Sequence, residues 1–257
     1  MLEVLYLKFI SIYFMSHNRN PHNINRYLGI SKLLLALGVL LMFESCSDTA
    51  VKKHFGEGYI EYAIEYDDST IAPKFNPSMR PSKMVIKFKD NNTINKIEGL
   101  SGAFSFAFIQ NKQQEKAYML IKLLNKKLYY QEPLVDSTYP FAYHDMPRFC
   151  IEKTDRVEEV LGYQCNVALA TFDDTLHKPF FIYYTDEIDI ANPNAYTPFE
   201  VIEGVMLKFT SIMFGQKMNI VASSVKKANI SDNEFAIPIE YEEVGLEVVK
   251  DVVELLR

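Results

Sequence analysis

Between Gly58 and Lys227 apolar and polar residues repeatedly alternate with a period of two, and turn residues separate the repeats. In the first repeat, Ile60, Tyr62, Ile64 and Tyr66 fall on one side and Glu61, Ala63 and Glu65 on the other. A period of two places alternate residues on one face of an extended chain, which predicts a strand with one wet face. The same reading predicts strands over 58–66, 84–89, 93–97, 104–108, 116–123, 127–131, 148–153, 164–172, 179–185, 205–214 and 217–227. About eleven strands joined by short turns make a mainly β chain, a β-rich member of the α+β class. Aromatics reach 13%, all Tyr and Phe, and these suit strands better than helices. Strands this amphipathic either pack on a second sheet or curl around something apolar.

The period changes near the C-terminus. Val244, Val248, Val249, Val252, Val253, Leu255 and Leu256 follow helical spacing, which predicts a C-terminal amphipathic helix. Its charges are mostly acidic, so it is expected to cover a core rather than lie on a membrane. Two stretches are irregular: 133–147 and the Pro-broken, polar 186–198, which has room for one helical turn.

The N-terminal stretch has a different logic. Leu33 to Phe43 is an apolar run with Lys32 just before it and Arg26 and Arg19 upstream. It is well short of the ~20 residues that span a bilayer. A basic flank, a short apolar core and a small residue at the cleavage point predict a secretory signal peptide. The following Glu44-Ser45-Cys46-Ser47-Asp48 resembles a bacterial lipobox, whose Cys receives the lipid. The expected organisation is a signal peptide over 1–45, with translation starting at Met1 or Met15, a lipidated tether over 46–57 and one β-rich domain over 58–257. Cys46 is the expected lipid attachment site, against the alternative of a retained membrane anchor.

Formal net charge is −6, and the 1–45 segment carries Lys8, Arg19, Arg26 and Lys32 against only Glu3 and Glu44, so the remainder is more acidic still. That argues against a nucleic-acid partner, which would require a basic face. With Cys46 assigned to the lipid, Cys150 and Cys165 are the candidate disulfide pair of an exported protein; the alternative is two reduced, buried thiols.

Four elements carry a family resemblance. They are Val160-Leu161-Gly162-Tyr163-Gln164-Cys165-Asn166, Ile182-Tyr183-Tyr184-Thr185-Asp186-Glu187-Ile188, Glu203-Gly204-Val205-Met206-Leu207, and Phe235-Ala236-Ile237-Pro238 with Tyr241. In this order they resemble the GLPGLI-type and related families of exported Bacteroidetes proteins, over roughly residues 58–243. The Pro of the GLPGLI motif is absent around Gly204, and no Trp opens the Tyr-Tyr-Thr segment. The wider resemblance is to outer-membrane lipoprotein carriers of the LolA/LolB-like fold. It implies a curled, incompletely closed antiparallel sheet with helical segments on its concave side, and binding of acyl chains there.

Signatures of chemistry are absent. His54, His144 and His177 lack partners at metal-ligand spacing, and no nucleophile elbow, P-loop or dinucleotide-binding glycine pattern occurs. Neither an enzymatic activity nor a cofactor is expected. Asp48-Thr49, Asp68-Ser69, Asp136-Ser137 and Asp174-Thr175 resemble the O-glycosylation sequon of Bacteroidetes exported proteins, making Thr49, Ser69, Ser137 and Thr175 candidate glycan sites. Turn composition alone also favours such pairs.

The expected protein is therefore an outer-membrane lipoprotein of the cell envelope, held to the membrane by its lipid. Its domain is expected to bind an apolar ligand, an acyl chain or a lipidated partner without chemistry. The alternative is a structural or interaction lipoprotein with a filled core. Candidate lining residues are Ile60, Tyr62, Ile64, Phe104, Phe106, Phe108, Tyr118 and Leu120, with Lys122 on the face assigned to the last two.

Overall fold

The computed structural model describes residues 55–66, 80–99, 102–135, 139, 141–213 and 215–255 of the 257. They form a curled, unclosed sheet of twelve strands with one C-terminal helix. The strands are β1 (Glu57–Tyr66), β2 (Lys83–Lys89), β3 (Asn92–Gly99), β4 (Phe104–Asn111), β5 (Lys116–Leu123), β6 (Lys126–Pro133), β7 (Phe149–Val160), β8 (Tyr163–Phe172), β9 (Phe180–Thr185), β10 (Val205–Met213), β11 (Gln216–Lys227) and β12 (Glu242–Glu243). The helix, α1, spans Leu246–Leu255. The eleven long strands match the expected ones, and every pairing among them is antiparallel. The twelfth, two residues long, runs parallel to β6 and makes the sheet mixed.

Two meanders meet at β1. In space the order is β12-β6-β5-β4-β3-β2-β1-β11-β10-β9-β8-β7, so the first strand sits in the middle and pairs with both β2 and β11. Tight reversals connect neighbours. Asp90 and Asn91 (φ 50° and 64°) turn β2 into β3, and Leu161 and Gly162 (φ 55° and 78°) turn β7 into β8. Two consecutive positive φ values mark the hairpin turn whose twist matches that of its strands. Gly204 serves a different need: a Cβ there would stand 2.6 Å from the Thr185 carbonyl oxygen, so only glycine lets β10 begin beside the end of β9.

Strand β7 corrects one expectation. It continues to Val160, whereas the sequence predicts a strand ending at Lys153 and the next one beginning at Gln164. Cys150 lies opposite Thr171 and Cys165 opposite Glu158, at opposite ends of the β7–β8 ladder. Six residues along a strand span ~20 Å, whereas a disulfide needs Cα atoms within ~7 Å. The Cys150–Cys165 disulfide is ruled out: both thiols are free, Cys150 exposed and Cys165 buried.

Both faces of the sheet are covered in places. On the outer face, residues of β3, β4 and β5 pack under the 230–241 segment through Ile230 and Phe235. On the inner face, α1 seats Val249 (0% exposed) on Met119 and Ile121 of β5, together with Phe106, Phe108, Tyr130 and Phe141. The helix covers core, as its pattern predicts. The 186–204 segment has no helical turn of the α type. It is a chain of reversals, with the N–H groups of Ala195, Thr197, Glu200 and Ile202 each bonding the carbonyl three residues earlier.

Candidate functional site

The inner face is built by register. Residues directly opposed in an antiparallel pair project to the same side. One row runs Ile121, Phe106, Ile97, Met84, Tyr62 and Ala222 across β5, β4, β3, β2, β1 and β11. The next row runs Met119, Phe108, Asn95, Ile86 and Ile60. Between these rows, β10 and the residues around Ala142, Tyr143 and Asn194 lies a cavity of about 100 Å³. Its wall is mostly apolar, with Ile60, Ile86, Ile97, Phe106, Phe108 and Phe209 prominent.

The structure divides the eight candidate lining residues. Ile60, Tyr62, Phe106 and Phe108 meet at the cavity. Ile64 is buried in the same inner core. Phe104 stands edge-on to Phe106 at 6.2 Å and lines a smaller pocket with Tyr66 and Met218. Tyr118 and Leu120 do not belong to this face. They oppose Ile109 and Ala107, and pack with Phe235 on the outer side. The error is one residue of register, which moves every side chain of a strand to the other face. Lys122 goes with them, opposite Ser105.

Residues that sequence reasoning missed complete the wall: Ile86, Asn95 and Ile97, Met119, Phe209, and Asn194 with Thr197. Pairing β3 onto β2 from the Asp90-Asn91 turn would have found Asn95 opposite Ile86 and Ile97 opposite Met84. Nothing in the polar, Pro-broken 186–198 stretch signalled that Asn194 and Thr197 reach the inner face.

Most of the wall's polar groups are already engaged. Tyr62 Oη donates to the Met206 carbonyl (2.9 Å), and burial pushes the phenol far above its ordinary range. Asn194 Nδ2 donates to the carbonyls of Ile202 (2.6 Å) and Gly204 (2.9 Å). Thr197 Oγ1 donates to the Asn194 carbonyl (2.6 Å), and Ser211 Oγ lies 3.9 Å from the Met146 sulfur. Burial also pushes Tyr143 up to about 12. Asn95 differs from these: its Oδ1 is buried and meets no hydrogen-bond donor among the described residues. Among the described residues, no cationic side chain lines the cavity.

One end of the cavity is tied down from below. Lys112, beyond β4, donates through Nζ to the carbonyl of Ala191 (2.7 Å). Asn91 Oδ1 accepts from the Ala191 amide (2.9 Å), and Gln110 Nε2 donates to the Ala195 carbonyl (3.1 Å). Burial lowers the Lys112 ammonium below its ordinary range. These contacts hold the 186–204 segment against the inner face.

Of the candidate modification sites, Thr175 is exposed in a turn. Asp174 Oδ1 shapes that turn, accepting from the amides of Leu176 (2.8 Å) and His177 (2.9 Å). The His177 ring lies 2.9 Å from Asp174 Oδ2 and against Phe172, with centroids 5.0 Å apart. Cys46, Thr49, Ser69 and Ser137 lie outside the described residues. Among the described residues, no three His, Cys, Asp or Glu side chains gather as a metal site. No helix of the described residues is long and apolar enough to cross a membrane.

No family model and no curated protein matches the chain. Among solved structures it is similar to PNGF-II in space groups P21 and C2, at 15% identity and TM-scores of 0.48 and 0.47. Those matches cover 77% of this chain but 33% and 32% of theirs, so the chain spans about a third of their length. It also shows a weak similarity to a Vibrio parahaemolyticus domain named for outer membrane lipoprotein sorting. That match has 10% identity and a TM-score of 0.18, and covers 77% of this chain and 90% of that one.

Proposed function

We propose that this protein is a lipid-anchored component of the cell envelope whose curled sheet holds an apolar group on its inner face without catalysing a reaction. The observation that carries the reading is the inner-face cavity, walled by Ile60, Ile86, Phe106 and Phe108 on one side and Phe209 on the other. An apolar hollow with a few placed polar groups is the usual form of a small-molecule site. The group held would be an acyl chain or the lipid of a modified partner. The anchor would be Cys46, placing the domain at the outer membrane.

A second reading rests on size. A cavity of about 100 Å³ is below the ~300–1,000 Å³ of typical ligand pockets. Space this small favours a domain whose inner face is filled mainly by its own α1 and 186–204 segments, serving a structural role.

Phe106→Ala separates the two. In a ligand site it weakens the binding of a fluorescent acyl-chain probe while the fold persists. In a filled core it unfolds the domain at a cost of ~3–5 kcal/mol, and the parent protein binds no probe. Fatty-acid analogue labelling tests the anchor: Cys46→Ala abolishes the label and releases the protein from membranes, whereas retention without label would point to an uncleaved anchor.

A further inference from the structure

We infer that the group held in the inner cavity carries one uncharged hydrogen-bond donor, a hydroxyl on an otherwise apolar body, and that Asn95 receives it. This rests on the reading of the inner face as a ligand site. Asn95 stands in the middle of the sheet, between Ile86 of β2 and Phe108 of β4, with Thr93 and Ile97 as its neighbours along β3. An amide at such a place normally has partners, because a buried acceptor without one costs ~1–3 kcal/mol. Its Oδ1 is buried and meets no donor among the described residues, and Asn95 is part of the cavity wall together with Phe106, Phe209 and Ser211.

The rest of the wall narrows the chemistry. Tyr62, Asn194 and Thr197 already spend their donors on backbone carbonyls of the protein. A ligand acceptor would compete with those bonds, whereas a ligand donor completes Asn95. Among the described residues no Lys, Arg or His lines the cavity, so a carboxylate or phosphate entering it would lose its hydration without gaining a counter-charge from them. The head group of a simple fatty acid is therefore excluded from this end. A hydroxyl fits, since it brings a donor without charge.

The test uses two probes of nearly equal size that differ in that donor, fluorobenzene and 4-fluorophenol, titrated into the full chain and observed by ¹⁹F NMR. The expected result is tighter binding of 4-fluorophenol by roughly tenfold, the equivalent of ~1.4 kcal/mol. Asn95→Leu should bring the two probes within about twofold of each other. Asn95→Ala serves the same purpose should the larger side chain disturb folding, which circular dichroism reports. Equal binding of both probes to the parent protein, or an unchanged preference in the folded variants, overturns the role of Asn95 and leaves the ligand site standing. Binding of neither probe overturns the ligand site, and this inference with it.

Discussion

The two halves of the inner layer are closed by different means. Around β8, β9 and β10 the chain fills its own interior. Phe199 is 1% exposed and sits 5.4 Å from Phe149 and 5.7 Å from Phe209, ring to ring, while the Phe172 and Phe180 rings meet at a tilt nearby, 5.5 Å apart. The small Ala168 and Ala170, both 0% exposed, let these rings approach the sheet. Around β2, β3 and β4 the large side chains Ile86, Ile97, Phe106 and Phe108 are half-buried around free space, with a polar Asn95 among them. One half resembles a finished core, the other a lined hollow. Apolar strand faces alone do not distinguish the two; what covers them does.

The sharpest way to break this comparison is to truncate one ring in each half. Phe199→Ala is expected to cost ~3–5 kcal/mol, the range for a large aromatic removed from a packed core. Phe106→Ala should cost roughly 1–2 kcal/mol, because part of its surface already faces open space. Urea unfolding of both variants measures the gap. Equal losses would mean that the second half is as filled as the first.

Tyr62→Phe probes the seam between the halves, where β1 reaches β10. It removes the hydroxyl that bonds the Met206 carbonyl and leaves that buried acceptor unpaired, for an expected loss of ~1–2 kcal/mol. A thermal shift near zero would show that the carbonyl finds another partner.

Thiol titration sharpens the picture at β8. Burial pushes Cys165 up to about 12, so the folded protein keeps this proton where an unfolded thiol loses it. The folded state then binds more protons above the unfolded value of ~8.5, and stability declines as pH rises from there toward 12. Cys165→Ala should reduce that alkaline decline, as followed by Tm between pH 8 and 11. Labelling at pH 8 should modify the exposed Cys150 and spare Cys165 until the protein unfolds.

The smallest effect belongs to the turn at Asp174. Amide and ring contacts from His177 hold its carboxyl below the ordinary range. The stability this contributes is present above the unfolded value of ~3.9 and is lost as pH falls through the lower folded value. Asp174→Asn should flatten the acid limb of the stability profile slightly; an unchanged limb would show the pair to be neutral.

Much of the fold is legible because most strands have one wet face. β1 shows this, with Ile60, Tyr62 and Ile64 buried and Ala63 and Glu65 exposed, and its inward face follows from alternation alone. β5 is the opposite case. Ala117, Tyr118, Met119, Leu120 and Ile121 are all at most 7% exposed, since α1 lies on one side and the 230–241 segment on the other. A strand buried on both faces carries no period-two signal, so its phase is open to a one-residue error. That error sent Tyr118 and Leu120 to the wrong side. The 186–204 segment has no period either. Its place is set by long-range contacts such as Lys112 with Ala191, and no local pattern encodes those.

The position of β1 has a consequence for how the molecule is made. It lies between β2 and β11, so Gly58 must find Lys227 from the far end of the domain. Strands β2 to β6 can form a meander from neighbours in sequence as the chain emerges. The second half, β7 to β11, cannot join that meander until β11 has been synthesised and seats on β1. Contacts this distant impose a large loop-closure cost before any pairing compensates it, which slows folding. Until then β1 presents an open hydrogen-bonding edge and a row of Ile and Tyr side chains. A chaperone that covers strand edges would have the most to protect during that interval.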